Sequence, residues 1–142
     1  MLSMDTNILL YAQNSDCSEN ARALDFLSGL KMRSDVVICE LVLVELYALL
    51  RNPAIFARPM GARDAAALCQ HYRQNPNWRL VENASIMDDV WKSAERASFP
   101  RRRIFDARIG FTLRHHGVTE FATANTKDFE GMGFLRVWNP LT

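Results

Sequence analysis

Four acids in this chain stand where their surroundings ask for an explanation: Asp5, Glu45, Asp106 and Asp128. Asp5 follows the short apolar start Met1–Met4 and precedes Thr6-Asn7 and the run Ile8–Ala12. Glu45 is the one ionisable side chain, apart from Tyr47, between Leu41 and Leu50. Asp106 is the single acid among the six arginines between Arg96 and His116, a stretch that carries +5. Asp128 closes the turn-like segment Thr123-Ala124-Asn125-Thr126-Lys127-Asp128, just before Phe129. Convergent carboxylates with no histidine or cysteine among them form a hard oxygen donor set, suited to Mg²⁺ or Mn²⁺ rather than zinc. Such a site commonly serves phosphoryl transfer, orienting a water and stabilising charge on phosphate. Arg101, Arg102, Arg103 and Arg108 would then supply the cations that a nucleic-acid backbone needs beside anionic ligands.

Taken singly, each acid also has a local explanation. Asp5 is a good helix N-cap. Glu45 can mark the one solvated stripe of an apolar helix, or be buried and in need of a partner. Asp106 in a first helical turn favours the helix dipole and can pair with Arg102 four residues earlier. Thr, Asn and Asp in a turn after a strand are common backbone caps. Glu40 begins its helix and needs no more than the dipole.

The elements that must position these residues read as an α/β domain with a mostly parallel sheet, because short apolar runs alternate with helical patterns. Strands are expected at Met1–Met4, Val36–Cys39, Trp78–Val81, Thr119–Thr123 and Phe134–Trp138. Helices are expected after Asp5, over Glu19–Met32, Leu41–Leu50 and Ala62–Arg73, over Ile86–Ala97 behind a Ser85 cap, and over Ile104–His116 up to Gly117. Asn52–Gly61 is a loop and Asn125–Phe129 a tight turn or short helical segment. In such a sheet Asp5 and the Thr123–Asp128 turn leave carboxyl ends of strands, where ligands bind. Glu45 and Asp106 lie on helices entering beside the same edge, so one cleft can gather all four.

With 142 residues and 49% hydrophobic composition, the chain suffices for one core and one domain spanning 1–142. Net charge is +1, yet Met1–Leu50 holds seven acids against three bases, so neutrality is a cancellation between an acidic first third and a basic second half. No apolar run approaches the roughly 20 residues of a membrane span, and the start lacks the pattern of a signal peptide. A soluble cytoplasmic protein is the expectation. Cys17, Cys39 and Cys69 fit no zinc spacing and leave an odd thiol in any disulfide scheme. His71, His115 and His116 have no nucleophile to serve, and Trp78, Trp91 and Trp138 fall in apolar segments and read as core.

In Met4-Asp5-Thr6-Asn7-Ile8-Leu9-Leu10-Tyr11, Leu43-Val44-Glu45-Leu46, Phe105-Asp106-Ala107-Arg108-Ile109, Thr123–Phe129 and the closing Asn139-Pro140, the chain resembles the PIN-domain family, and within it the VapC-type toxins of toxin–antitoxin pairs. The resemblance spans nearly the whole chain. It implies a Mg²⁺- or Mn²⁺-dependent endoribonuclease on a small α/β/α sandwich, with a parallel sheet of about four to five strands. It further implies a homodimer inhibited by a cognate VapB-like antitoxin whose segment enters the active-site groove. Asp5, Glu45 and Asp106 are similar to the family's three central acids. The fourth place is shared between Asp128 and Asn125, the latter departing from an all-acidic pattern. Thr6 and Thr123 would support the acids as hydrogen-bond donors, and Arg101, Arg102, Arg103 and Arg108 would meet RNA. The rival readings are a catalytically silent module of the same fold that binds RNA or a partner, and a metal-dependent nuclease acting on DNA.

Overall fold

The computed structural model describes all 142 residues. In chain order the elements are β1 (Leu2–Met4), α1 (Thr6–Gln13), α2 (Asn20–Leu30), β2 (Val37–Cys39), α3 (Glu40–Leu50), α4 (Ala62–Arg73), β3 (Arg79–Val81), α5 (Met87–Ala94), α6 (Arg103–His115), β4 (Glu120–Ala122), a 3-10 turn over Thr126–Asp128, and β5 (Arg136–Trp138). Every strand pairing is parallel: β1 with β4, β4 with β5, and β2 with β3. One further parallel bridge, Leu2 to Val36, joins the two groups. The strands therefore lie in the order β3-β2-β1-β4-β5.

Strands covered on both faces are short unbroken apolar runs rather than alternating ones, and Leu2 to Met4 and Val37 to Cys39 are buried throughout. On one face α1 packs against α2 and α3, and α3 against α4. From β3 at one edge the chain must travel back past β1 to reach β4. A right-handed crossover in that reversed direction puts the mutually packed α5 and α6 on the other face. The main core runs through β1, β2, β4 and the inner faces of α1 to α3, and Ile86, Val90 and Ala107 form a second cluster beneath α5 and α6.

The observed helices and strands lie close to those the sequence predicts, with one clear exception. The helix expected over Ile86–Ala97 is shorter, Met87–Ala94, and Ser85 does not cap it; Ile86 holds the N-cap position without a side-chain bond. Trp91 also departs from the expected core role, being 59% exposed. Ile86 and Val90, four residues apart, share the inner face, and the next residue is turned about 100° away from it. Trp78 and Trp138 do pack against the core, with Trp78 Nε1 donating to the Leu30 carbonyl at 3.0 Å. No helix is long and apolar enough to cross a membrane.

Candidate active site

Strand order reverses between β1 and β4. The chain leaves β1 toward β2 and leaves β4 toward β5, so the two exits diverge and open a crevice at the carboxyl edge of the sheet. Asp5 is the first residue past β1 and Thr123 the first past β4. Asp5 has extended backbone geometry and caps α1, its Oδ1 accepting from the Thr6 backbone N–H at 2.8 Å. Its other oxygen accepts from Thr123 Oγ1 at 2.8 Å and from Asn7 Nδ2 at 3.3 Å. The N-cap role and a place in the crevice thus hold together.

Glu45 turns into the same crevice. Thr6 Oγ1 donates to Glu45 Oε2 at 2.6 Å, linking α1 to α3. The solvated stripe of α3 is formed instead by Val44, 62% exposed, and Ala48, so the helix turns its mid-helix acid inward and an apolar residue outward. Asp106 occupies the first turn of α6, which Ala107 anchors in the second cluster. The local pair expected with Arg102 does not form; the ion pair at this helix start joins Arg103 Nη2 to Asp128 Oδ1 at 3.3 Å. Asp128 ends the 3-10 turn, and its neighbour Phe129 is buried against Phe121 of β4 with ring centroids 4.4 Å apart. That tilted ring contact fixes the turn to the sheet. Glu40, by contrast, leaves the site: Arg73 Nε donates to it at 3.0 Å.

The four carboxylates are near enough to push on one another. Burial raises Asp5 from the ordinary 3.8 to about 6; the charges of Glu45 and Asp128 push the same way, while bonds from Thr123 and Thr6 pull down. Asp106 rises to about 7, first from burial and then from the charges of Asp5, Asp128 and Glu45, with Arg103 opposing. No group of three or more His, Cys, Asp or Glu side chains is drawn together closely enough to hold a metal ion by itself. Three of the four have a side-chain partner that fixes their orientation: Asp5 has Thr123, Glu45 has Thr6 and Asp128 has Arg103. The donor set nevertheless fits a hard divalent cation. It is all oxygen and partly buried, and burial first and then the neighbouring carboxylates raise Asp5 and Asp106, a cost that a bound cation would relieve.

The family profile described as PIN domain matches residues 3–135. The chain belongs to the PIN-domain family. Ribonuclease VapC24 of Mycobacterium tuberculosis, from strains CDC 1551 / Oshkosh and ATCC 25618 / H37Rv, is 56% identical over 142 residues, covering 100% of this chain and 98% of the relative. Among solved structures, FitAcB from Neisseria gonorrhoeae matches with TM-score 0.68 and 20% identity, over 99% of this chain and 98% of the other. FitAB bound to an IR36 DNA fragment gives 0.67 and 19%, over 100% and 96%. Mycobacterium tuberculosis VapC20, described as a toxin that cleaves the sarcin–ricin loop, gives 0.65 and 16%, over 85% and 87%. These structural likenesses carry the fold.

In this PIN domain hydrogen bonds join Asp5, Thr6, Thr123 and Glu45, and the charges of Asp128 and Glu45 act on both Asp5 and Asp106. Asn125 does not join them through its side chain; it is exposed, and its backbone N–H donates to Thr123 Oγ1 at 3.0 Å. Arg101, Arg102 and Arg108 are exposed, whereas Arg103 is half-buried, tied to Asp128, with its Nε buried and without a partner. One residue escapes the sequence reading. Asn7, given no role there beyond following Asp5 at the start of a helix, donates to Asp5 Oδ2 and to Thr123 Oγ1 at 3.4 Å, and accepts from the Ala124 N–H at 3.2 Å. It clamps the two strand exits together, and only its place two residues after Asp5 hinted at this.

Proposed function

We propose that this PIN domain is an endoribonuclease toxin of a toxin–antitoxin pair, hydrolysing RNA phosphodiester bonds with Mg²⁺ or Mn²⁺. The observation that carries the reading is the crevice at the strand-order reversal, in which Asp5, Glu45, Asp106 and Asp128 face one another with too little positive charge. Full-length identity of 56% to a ribonuclease supports the choice of RNA over DNA.

Asp5, Glu45, Asp106 and Asp128 would hold the cation, which when bound supplies an activated water and stabilises charge on the phosphate. The chain's own residues prepare the site. Thr123 and the Thr6 backbone N–H fix both oxygens of Asp5, and the Thr6 hydroxyl fixes Glu45, so these ligands lose little freedom on binding. Exposed Arg101, Arg102 and Arg108 attract the RNA backbone toward a centre that would otherwise repel it. A soluble, cytoplasmic homodimer under the control of a VapB-like antitoxin completes the proposal.

The deciding test is RNA cleavage by wild type and Asp5→Asn with Mg²⁺, Mn²⁺ or a chelator, beside the same assay on DNA. Cleavage of RNA that needs the cation and is lost in the variant is expected. Full activity in the variant or in chelator would overturn the carboxylate mechanism. A chain that binds RNA without cutting it would be a silent module instead.

A further inference from the structure

A second concavity adjoins the carboxylates. It measures about 520 Å³ and is walled by the end of α1, the start of α2, the turn after β4 and the segment after β5. That volume lies within the roughly 300–1,000 Å³ of small-ligand sites. Its lining includes Ala124 and Asn125, which directly follow Thr123, the donor to Asp5. The Thr123 N–H donates to the Trp138 carbonyl at 2.9 Å, which sets Asn139 of this wall beside the strand exit whose hydroxyl holds Asp5.

The lining is polar and partly fixed in place. Asn139 Oδ1 accepts from the Leu141 N–H at 2.9 Å, which sets the orientation of its amide and leaves Nδ2 without a partner in the chain. Arg22 Nη1 donates to the Leu141 carbonyl at 2.7 Å, holding the guanidinium at the rim with donors to spare. Glu19 adds an acceptor one helical turn from Arg22, and Tyr11 adds an aromatic side chain to the wall. A set of oriented donors and acceptors beside a ring face and one cation is what an unpaired nucleotide requires: edge hydrogen bonds, stacking and a phosphate contact. A duplex cannot offer a base to a pocket of this size.

We infer that this pocket binds one single-stranded ribonucleotide adjoining the scissile phosphate, with Asn139 and Glu19 reading its base and Arg22 meeting its phosphate. The inference rests on the ribonuclease reading and names the specificity element of that site.

The test is cleavage of a randomised RNA pool by the full chain, with sequencing of the ends produced. Asn139→Asp keeps an oxygen to cap Leu141 and replaces the amide donor with a charged acceptor, and Glu19→Gln replaces the charged acceptor with a neutral amide of the same shape. Each is expected to change base preference about tenfold at one position adjoining the cut, the scale of one specific base contact, while preferences at other positions stay as in wild type. Unaltered preference at that position in both variants, or a loss spread evenly over all positions, would overturn the inference and leave the ribonuclease reading standing. Failure of the wild type to cut RNA at all would overturn both.

Discussion

Thr123 Oγ1 donates to Asp5 Oδ2 at 2.8 Å across 118 residues of sequence, joining the exits of the two strands between which the sheet reverses its order. The bond holds the carboxylate in one orientation and opposes the upward push of burial on its pKa. Thr123→Val keeps the volume and loses the donor. Asp5 then rises above about 6, and a larger share is protonated and unable to ligate at neutral pH. Cleavage should fall about tenfold at pH 7 and recover toward pH 8.5, while Thr123→Ser stays near wild type. A pH–rate profile reads this directly; equal loss at both pH values would show that the hydroxyl does not act through Asp5.

Asp106 predicts a stability that declines as pH rises. Its folded pKa of about 7 exceeds the ordinary 3.8, so between those values the folded state binds more protons than the unfolded state and stability falls with increasing pH. The penalty is absent below about pH 4, builds to about pH 7 and is complete above it. Asp106→Asn removes it. Discounted for the partial exposure of the group, the gain should be about 1–2 kcal/mol at pH 8. Chemical denaturation in chelator at pH 4 and pH 8 measures it, and a variant no more stable than wild type at pH 8 would refute the penalty that burial and the neighbouring acids place on the charged Asp106.

The same excess of negative charge predicts stabilisation by divalent cations. A cation that binds only the folded chain contributes about 2.7 kcal/mol at a hundred times its dissociation constant, which for a domain of this size raises Tm by roughly 5–10 °C. Mn²⁺ should raise Tm strongly at pH 8 and little at pH 5, where Asp5 and Asp106 carry protons. Thermal scans with Mn²⁺ and with chelator give the comparison. An equal shift at both pH values would place the binding elsewhere.

The parallel sheet was legible because its strands are covered on both faces and so appear as apolar runs of β-favouring residues, as at Val37-Ile38-Cys39. Asp5 could be placed at a strand end for the same local reason. Other features depend on residues far apart in the chain. Glu45 could equally have faced solvent, and what turns it inward is Thr6, 39 residues away. Asn7 looked like an ordinary helix starter because its partners, Thr123 and Ala124, lie more than 100 residues on. Helical spacing offers Arg102 to Asp106, but α6 begins at Arg103, and the packing of Phe129 on Phe121 holds the turn from which Asp128 pairs with Arg103. Trp91 was misjudged because an apolar neighbourhood in sequence does not say which side of a short helix faces in.

The fourth ligand position distinguishes Asp128 from Asn125. Asp128 raises the pKa of both Asp5 and Asp106, so its charge reaches the centre of the crevice. Asn125 is exposed and lines the neighbouring pocket instead. Asp128→Asn should therefore weaken Mn²⁺ binding at least about tenfold, by removing one charge from the ligand set. Asn125→Ala should leave that affinity within about twofold, since a group that contacts neither ion nor ligand changes binding little. Isothermal titration of Mn²⁺ into each variant at pH 8 separates the two, and the reverse ranking would assign the fourth position to Asn125. Arg103 sharpens the comparison. It pairs with Asp128 at 3.3 Å, and a cation must compete with it for that carboxylate. Arg103→Gln should then bind Mn²⁺ more tightly than wild type even if cleavage drops, an outcome expected of a competing cation and not of a residue that serves only to attract RNA.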